Sequence, residues 1–355
     1  MLRGRGAQIN PGNRFEKISF DYDEFKPEVY EGEELPEEKI PTVFYRDESK
    51  SIVAKNNSCD IGFNYSINPY RGCEHGCVYC YARPTHEYLG FSSGIDFETK
   101  IMVKENAPYL LEQAFKKKSY KPDLIILSGN TDCYQPVEKK LKITRGILQT
   151  CLNYRNPVSV ITKNALVMRD IDILKQLAEL NLTSVALSIT SLDRELISKL
   201  EPRTSRPELK LKTIEELAKN NIPAGVNVAP VIPGLNDEEI PRILKEASER
   251  GATSAGHVIL RLPYANKDLF IDWLNKHYPG KAGKILNRIK DLRGGKLNNS
   301  EWGKRFTGEG EIAEAIHSLF YISCEKYGMN KRHIKLTTSL FRHEFSNQMD
   351  LFGNI

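Results

Sequence analysis

Nowhere does the chain hold an uninterrupted apolar run approaching the roughly 18 residues of a membrane helix. A helical membrane protein is therefore excluded. Behind the basic start Met1-Leu-Arg-Gly-Arg-Gly no apolar stretch follows, so no secretory signal is expected. Cysteine is scarce: there are 7 in 355 residues, an odd number, with three crowded into one short run. That pattern does not build a disulfide framework and suits a reducing compartment. Internal repeats and low-complexity segments are also missing. What remains, with 40% apolar and 27% charged residues, is a soluble globular protein with material for one large or two modest domains, and the expected location is cytoplasmic.

Charge is unevenly spread. Residues 1–60 carry 9 Lys/Arg against 13 Asp/Glu, so the rest of the chain holds the basic excess behind the net +5. Residues 279–345 alone contain 13 basic and 7 acidic side chains. Such a surface suits an anionic partner such as nucleic acid, or is a solvated lysine-rich face.

Residues 1–60 show no sustained apolar period and are expected to form an extended N-terminal arm. The acidic stretch Asp21–Lys39 reads as extended and partly mobile. Arg3-Gly-Arg-Gly and Asn13-Arg-Phe can alternatively dock near an active site. From Gly62 onward, β-branched runs alternate with amphipathic stretches. The expected strands are Phe63–Asn68, Leu124–Ser128, Val158–Thr162, Ser184–Ile189, Gly225–Val231 and His257–Leu262. Expected helices are Ala107–Lys117, Val137–Tyr154, Asp170–Leu180, Pro207–Asn220 and Asp237–Gly251. The Val137 helix carries Leu141, Ile147, Leu148 and Leu152 on its apolar stripe. Alternation at about 30 residues per unit predicts an α/β fold with a parallel sheet over residues 61–265. Residues 266–355 break that rhythm and read as a helical cap, with a glycine-rich loop and a helix at Ile312–Tyr327 burying Ile316, Leu319, Phe320 and Cys324.

The three crowded cysteines, Cys73, Cys77 and Cys80, lie in Asn68-Pro-Tyr-Arg-Gly-Cys-Glu-His-Gly-Cys-Val-Tyr-Cys-Tyr-Ala-Arg83. A C-x3-C-x2-C spacing lets three thiolates converge on one cluster within a tight loop. Thiolate is the ligand that iron–sulfur clusters select, and each cubane iron takes one. No fourth cysteine is local, so a 4Fe–4S cluster here keeps one iron open to a small molecule. Gly72 and Gly76 let the loop close around a bulky core. A Cys3His zinc site using His75 or His86 is the alternative, although no second knuckle exists downstream.

This spacing, with the aromatic Tyr79 before the last cysteine, resembles the radical S-adenosylmethionine (radical SAM) superfamily. Ser66-Ile-Asn-Pro-Tyr-Arg-Gly-Cys, Thr131-Asp with Tyr134-Gln-Pro-Val-Glu138, Ser188-Ile-Thr, Glu201-Pro-Arg and Ala229-Pro-Val-Ile-Pro-Gly-Leu-Asn236 resemble its spore photoproduct lyase-related branch. The likeness covers essentially the whole chain. It implies an open six-stranded (β/α)6 partial TIM barrel with the cysteine loop after the first strand, a 4Fe–4S cluster and SAM as cofactors, and a reductant such as flavodoxin or ferredoxin. It further implies reductive SAM cleavage and hydrogen abstraction from a substrate. A nucleic-acid lesion or nucleotide is the expected substrate class, by analogy with the branch. A peptide- or protein-modifying enzyme, and a noncatalytic cluster or zinc protein binding nucleic acid, are the alternatives.

In β/α barrels reactive groups gather at the carboxyl ends of strands. The resemblance therefore places Asn130 and Asp132 at the SAM amine, Lys163 at its carboxylate, and Ser188 and Thr190 at ribose or carboxylate. Arg203 is a further carboxylate partner, and Pro230 belongs to an apolar turn against adenine. The lyase returns hydrogen from a cysteine three residues before the second-strand aspartate, where this chain has Gly129. Cys133 is here either a substitute donor or a buried filler. Tyr79, Tyr81 and Tyr134 are either relays or packing residues.

Overall fold

The computed structural model describes residues 4–15, 40–332 and 334–344. The stretch expected as extended, Asp21–Lys39, lies outside the described residues. Six strands pair side by side in chain order, all parallel: β1 (Tyr65–Ile67), β2 (Ile125–Leu127), β3 (Val158–Thr162), β4 (Thr183–Ser188), β5 (Ala224–Val231) and β6 (Ser254–Ile259). The register aligns Ile67, Leu127, Val160, Val185 and Ala224 in one fully buried row. That row explains the Val/Ile-rich runs, because a parallel sheet covered by helices has no wet face.

The β6 range begins and ends three residues before its expected one. Gly225 of β5 lets Ser254 approach so closely that a Cβ would meet its Oγ at 2.4 Å. The sheet therefore starts at Ser254, and Leu260 and Leu262 pack beyond it.

Helices α1 (Ala107–Phe115), α2 (Ile143–Tyr154), α3 (Ile171–Glu179), α4 (Pro207–Lys219) and α5 (Ile240–Glu249) connect the strands. The expected long helix from Val137 is broken. Lys142 takes a left-handed φ of 56°, which separates the turn Glu138–Leu141 from α2. The Glu138 carboxylate then accepts the amide of Thr144 at 3.2 Å and serves the start of α2. Leu141 and Leu152 are consequently only half-buried.

The cap contains α6 (Asn266–His277), α7 (Pro279–Asp291) and α8 (Glu311–Lys326). On α8 the buried residues include Ala313, Ile316, Phe320 and Cys324, whereas the expected Leu319 is 36% exposed because it lies off that 3–4 spacing. Among the described residues two large apolar cores result, with a small third cluster of Cys73, Ala82 and Phe97. One fills the space between sheet and α1–α5. The other joins α6 and α7 to Cys77, Val78 and Tyr79 through Trp273, Phe270, Ile285 and Ile289. Helices α6 and α7 of the cap are thus packed on the cysteine loop itself, whereas α8 packs into the main core.

Part of the N-terminal region is also built in. Val43–Arg46 pairs parallel with Lys100–Val103, and Ala54–Lys55 pairs antiparallel with β1. The expected boundary at residue 60 falls just after this pairing. Among the described residues no helix is long and apolar enough to cross a membrane.

Candidate active site

The loop after β1 carries Cys73, Cys77 and Cys80 as free thiols, the first two buried and the third half-buried. Gly72 has φ 80°, and a Cβ there would meet Ile101 at 2.9 Å and the His86 ring at 3.0 Å. Only glycine lets the chain turn at this spot. Burial pushes all three thiols up, with nearby Asp132 adding to it at Cys73 and Glu201 at Cys77. Bound iron reverses that preference by deprotonating its ligands. Three sulfur donors on a glycine-relieved loop fit an iron–sulfur core. The zinc alternative fits less well. His75 Nε2 lies 3.1 Å from the Asn164 amide nitrogen and its Nδ1 3.5 Å from Asp132. His86 is wedged between Phe91 and Phe97. Among the described residues no three His, Cys, Asp or Glu side chains, the three cysteines included, converge on a single ion, which bears equally on both metals.

A buried scaffold holds the loop. The Arg83 guanidinium donates to the Cys77 carbonyl at 2.9 Å and the Gly94 carbonyl at 2.9 Å, and pairs with Glu98, both side chains being fully buried. Glu98 also accepts the backbone amides of Arg5, Gly6 and Ala7 at 2.6, 3.0 and 2.7 Å. The N-terminal arm therefore crosses the cysteine loop, so tightly that a Cβ on Gly6 would sit 1.8 Å from the Gly76 carbonyl oxygen. This is the docked alternative for Arg5-Gly6. Gln135 donates to the Gly72 carbonyl and accepts the Glu74 amide at 2.9 Å. From the cap, Asn266 Nδ2 donates to the Cys80 carbonyl at 2.7 Å.

Beside the loop, Glu201 gathers five donors. Its Oε1 accepts from the hydroxyls of Tyr79 and Thr190 and from Lys163 Nζ at 3.1 Å, and its Oε2 from Lys210 Nζ at 3.0 Å and Thr204 at 3.2 Å. Lys163 also reaches the Thr190 hydroxyl at 3.1 Å and the Ala229 carbonyl at 2.8 Å. Burial pulls the Glu201 carboxyl up, but the charges of Lys163 and Lys210 with the hydrogen bonds from Thr190 and Tyr79 outweigh it. They hold the group well below the usual carboxylate range. Burial, seconded by the Glu201 charge, keeps Tyr79 a neutral donor.

Several expected residues therefore meet. Tyr79, Lys163 and Thr190 converge on Glu201, and the Ala229-Pro230 turn supplies a carbonyl to the same knot. Asp132 is engaged on both oxygens: Oδ1 accepts from Thr162 Oγ1 and the Tyr134 amide, each at 2.8 Å, and Oδ2 from the Lys163 amide at 2.8 Å. It locks the ends of β2 and β3 together. Arg203 pairs with Glu74 at 3.1 Å. Ser188 and Asn130 have no side-chain hydrogen-bond partner among the described residues, which leaves both open to a ligand at the ends of β4 and β2.

Three others lie apart from the Glu201 knot. Cys133 is fully buried in the main core, between Ser128 and Thr144, with its carbonyl accepting the Thr144 hydroxyl at 2.6 Å. Tyr134 is fully buried, its hydroxyl donating to Asp170 at 3.0 Å. Tyr81 is 45% exposed beside Cys80 and donates to the Gly129 carbonyl at 2.8 Å.

Glu201, Lys210, Arg83, Glu98 and Asn266 are absent from the expected site. One signal was available: Lys210 interrupts the apolar spacing of Pro207, Leu211, Ile214 and Leu217 on α4, and a charge on a buried stripe demands a counter-ion.

Residues 67–247 match the Radical SAM superfamily, and the chain belongs to it. Members of this family hold a 4Fe–4S cluster and SAM. An uncharacterised protein of Mycobacterium tuberculosis is 34% identical over 238 residues, covering 66% of this chain and 69% of that one. An uncharacterised protein of Methanocaldococcus jannaschii is 33% identical over 178 residues, 50% of this chain and 64% of its own. Spore photoproduct lyase complexed with dinucleoside spore photoproduct has a similar fold, with TM-score 0.59, 16% identity, and coverage of 81% of this chain and 80% of the lyase. A mutant of that lyase with bound AdoMet and dinucleoside spore photoproduct superposes with TM-score 0.56 at 17% identity over the same shares.

Proposed function

We propose that this chain is a radical SAM enzyme acting on a nucleic-acid lesion or nucleotide, built on an open (β/α)6 partial barrel and working in the cytoplasm with a reductant such as flavodoxin or ferredoxin. The observation that carries the chemistry is the loop of three free thiols, clamped at the carboxyl end of β1 by the Arg83–Glu98 pair. Bound cluster and SAM supply the one-electron cleavage that starts hydrogen abstraction. The chain's own residues do the rest. Cys73, Cys77 and Cys80 hold iron, and Glu201 fixes Tyr79 and Lys163 so that both enter the site in one orientation. Ser188 and Asn130 offer unsatisfied polar groups to SAM, and the α6–α7 core keeps water from the back of the loop. The nucleic-acid assignment is supported by the basic cap and by the lyase fold.

The test is 5′-deoxyadenosine formation by anaerobically reconstituted protein with SAM and dithionite, with and without UV-irradiated DNA containing spore photoproduct. A rise with the damaged DNA, abolished in Cys77→Ala, supports a repair-type lyase. Turnover indifferent to that DNA removes the lesion from the reading. No turnover from a protein with intact cluster absorbance removes the enzyme.

A further inference from the structure

At the carboxyl end of β6 the site carries positive charge that nothing described answers. Arg261 lies just beyond the strand, with its guanidinium 5.6 Å from the centre of the Tyr81 ring and 4.7 Å from that of Phe306. Its Nε is buried and has no hydrogen-bond partner among the described residues, and no carboxylate there pairs with it. The nearest acid, Asp60, is spent on Arg305, accepting from its Nε at 2.7 Å. Arg293, also buried, gives its other nitrogens to the carbonyls of Leu260 and Lys304, at 2.7 and 2.8 Å. Burial and the Arg305 charge both pull the Arg261 guanidinium down, yet a guanidinium keeps its proton at neutral pH. Arg261 is half-buried, so a cation here with no acid partner is partly stripped of water and gains when an anion meets it.

The surroundings say which anion. Tyr81 directly follows Cys80, so its ring stands between the cysteine loop and Arg261. The chain beyond β6 exposes further rings and cations. Trp302, shortly before Arg305 in the chain, is 59% exposed, and Tyr264 is 58% exposed with Arg14 stacked 3.6 Å from its ring centre. A cavity of about 330 Å³ is lined by Tyr264 with Lys267, Lys296, Asn298 and Ser300. Neither lysine has an ion-pair partner among the described residues. Phosphate needs cations and unstacked bases need aromatic faces, and their alternation is the physical footprint of single-strand binding. A duplex hides its base faces and has no use for the rings.

We propose that Arg261, clasped by Tyr81 and Phe306, receives a phosphate of single-stranded nucleic acid whose bases stack on Tyr81, Tyr264 and Trp302. This rests on the nucleic-acid reading above. It places the bound strand one aromatic ring from the cysteine loop.

The experiment measures binding. Reconstituted protein is titrated into fluorescein-labelled single-stranded DNA of about 12 nucleotides, the same sequence as RNA, and the DNA duplex, over a range of salt. Single strands bind more tightly than duplex, and the DNA and RNA arms identify which sugar the site takes. Arg261→Gln weakens single-strand binding about tenfold and flattens the salt slope by about 0.7, the loss of one phosphate contact. Tyr81→Ala weakens it comparably through lost stacking, whereas the remote surface change Lys245→Gln does neither. If Arg261→Gln loses its cluster absorbance, Arg261→Lys carries the test, keeping the slope while losing affinity. Equal affinity and slope for wild type and Arg261→Gln, or tighter binding of duplex, overturns the site but leaves the nucleic-acid reading standing. Wild-type protein that cleaves SAM yet binds none of the three probes overturns the reading itself.

Discussion

Two cations flank the cysteine loop, Lys210 buried and Arg261 half-buried, and they differ in whether an acid answers their charge. Lys210 is 1% exposed and meets Glu201 at 3.0 Å, inside a knot where each Glu201 oxygen has several donors. Arg261 has two aromatic rings and no acid. A satisfied buried ion pair positions groups, whereas an unsatisfied cation is open to a ligand. The first kind of network sets the orientation of Tyr79 and Lys163, and the second is where the proposed phosphate would sit.

Breaking the satisfied network should cost most. Lys210→Met leaves Glu201 with only Lys163 as counter-charge and should destabilise the protein by about 3–5 kcal/mol, read from the denaturant midpoint. Adding Glu201→Gln to it should recover part of that loss, because the stranded carboxylate is then gone. A double variant as unstable as the sum of the singles would show that the two residues do not act as a pair. Gly6→Val tests the arm. No side chain fits above the Gly76 carbonyl, so the arm should lift and the reconstituted cluster should bleach faster in air, followed near 400 nm. Unchanged bleaching would mean that the arm does not shield the loop.

Arg261→Met sharpens the contrast from the other side. It removes a cation that makes only ring contacts, so folding stability should change by about 1 kcal/mol or less. A loss as large as that of Lys210→Met would reveal an anionic partner within the chain. A further prediction concerns pH. Burial first, then the charge of His317, pulls His257 down to about 4 from an ordinary value near 6.5. The folded state therefore binds fewer protons than the unfolded one between those values, and stability should fall as pH drops from about 6.5 to 4. His257→Phe should shallow that slope. Glu201 acts lower: its stabilisation is complete above the unfolded carboxylate value of about 4.3 and fades only as pH falls below it.

Much of this was legible along the chain. Each of the six expected strands overlaps an observed one, because a buried parallel strand must be a short β-branched run and the intervening stripe must be helical. The cysteine loop was legible because ligand spacing is a local property. Lys163 and Thr190 were legible as strand-end residues and Tyr79 as the aromatic of the cysteine loop, but not as partners of one another. Their shared partner Glu201 was passed over in favour of its neighbour Arg203, which instead pairs with Glu74. Asp132 looked like a free acceptor because a sequence does not display the backbone amides of Tyr134 and Lys163 that occupy it.

The sequence by itself determined the order of strands and helices, the glycines at the turns and the three thiols with their spacing, all consequences of local periodicity and local sterics. Tertiary structure alone decided which charges are answered. Glu98 lies more than 90 residues from the amides of Arg5, Gly6 and Ala7 that it accepts, Asn266 lies 186 residues from Cys80, and Arg261 comes to Tyr81 only when β6 closes the row of strands. Pairing energy depends on distance and burial, and neither exists until the chain has folded.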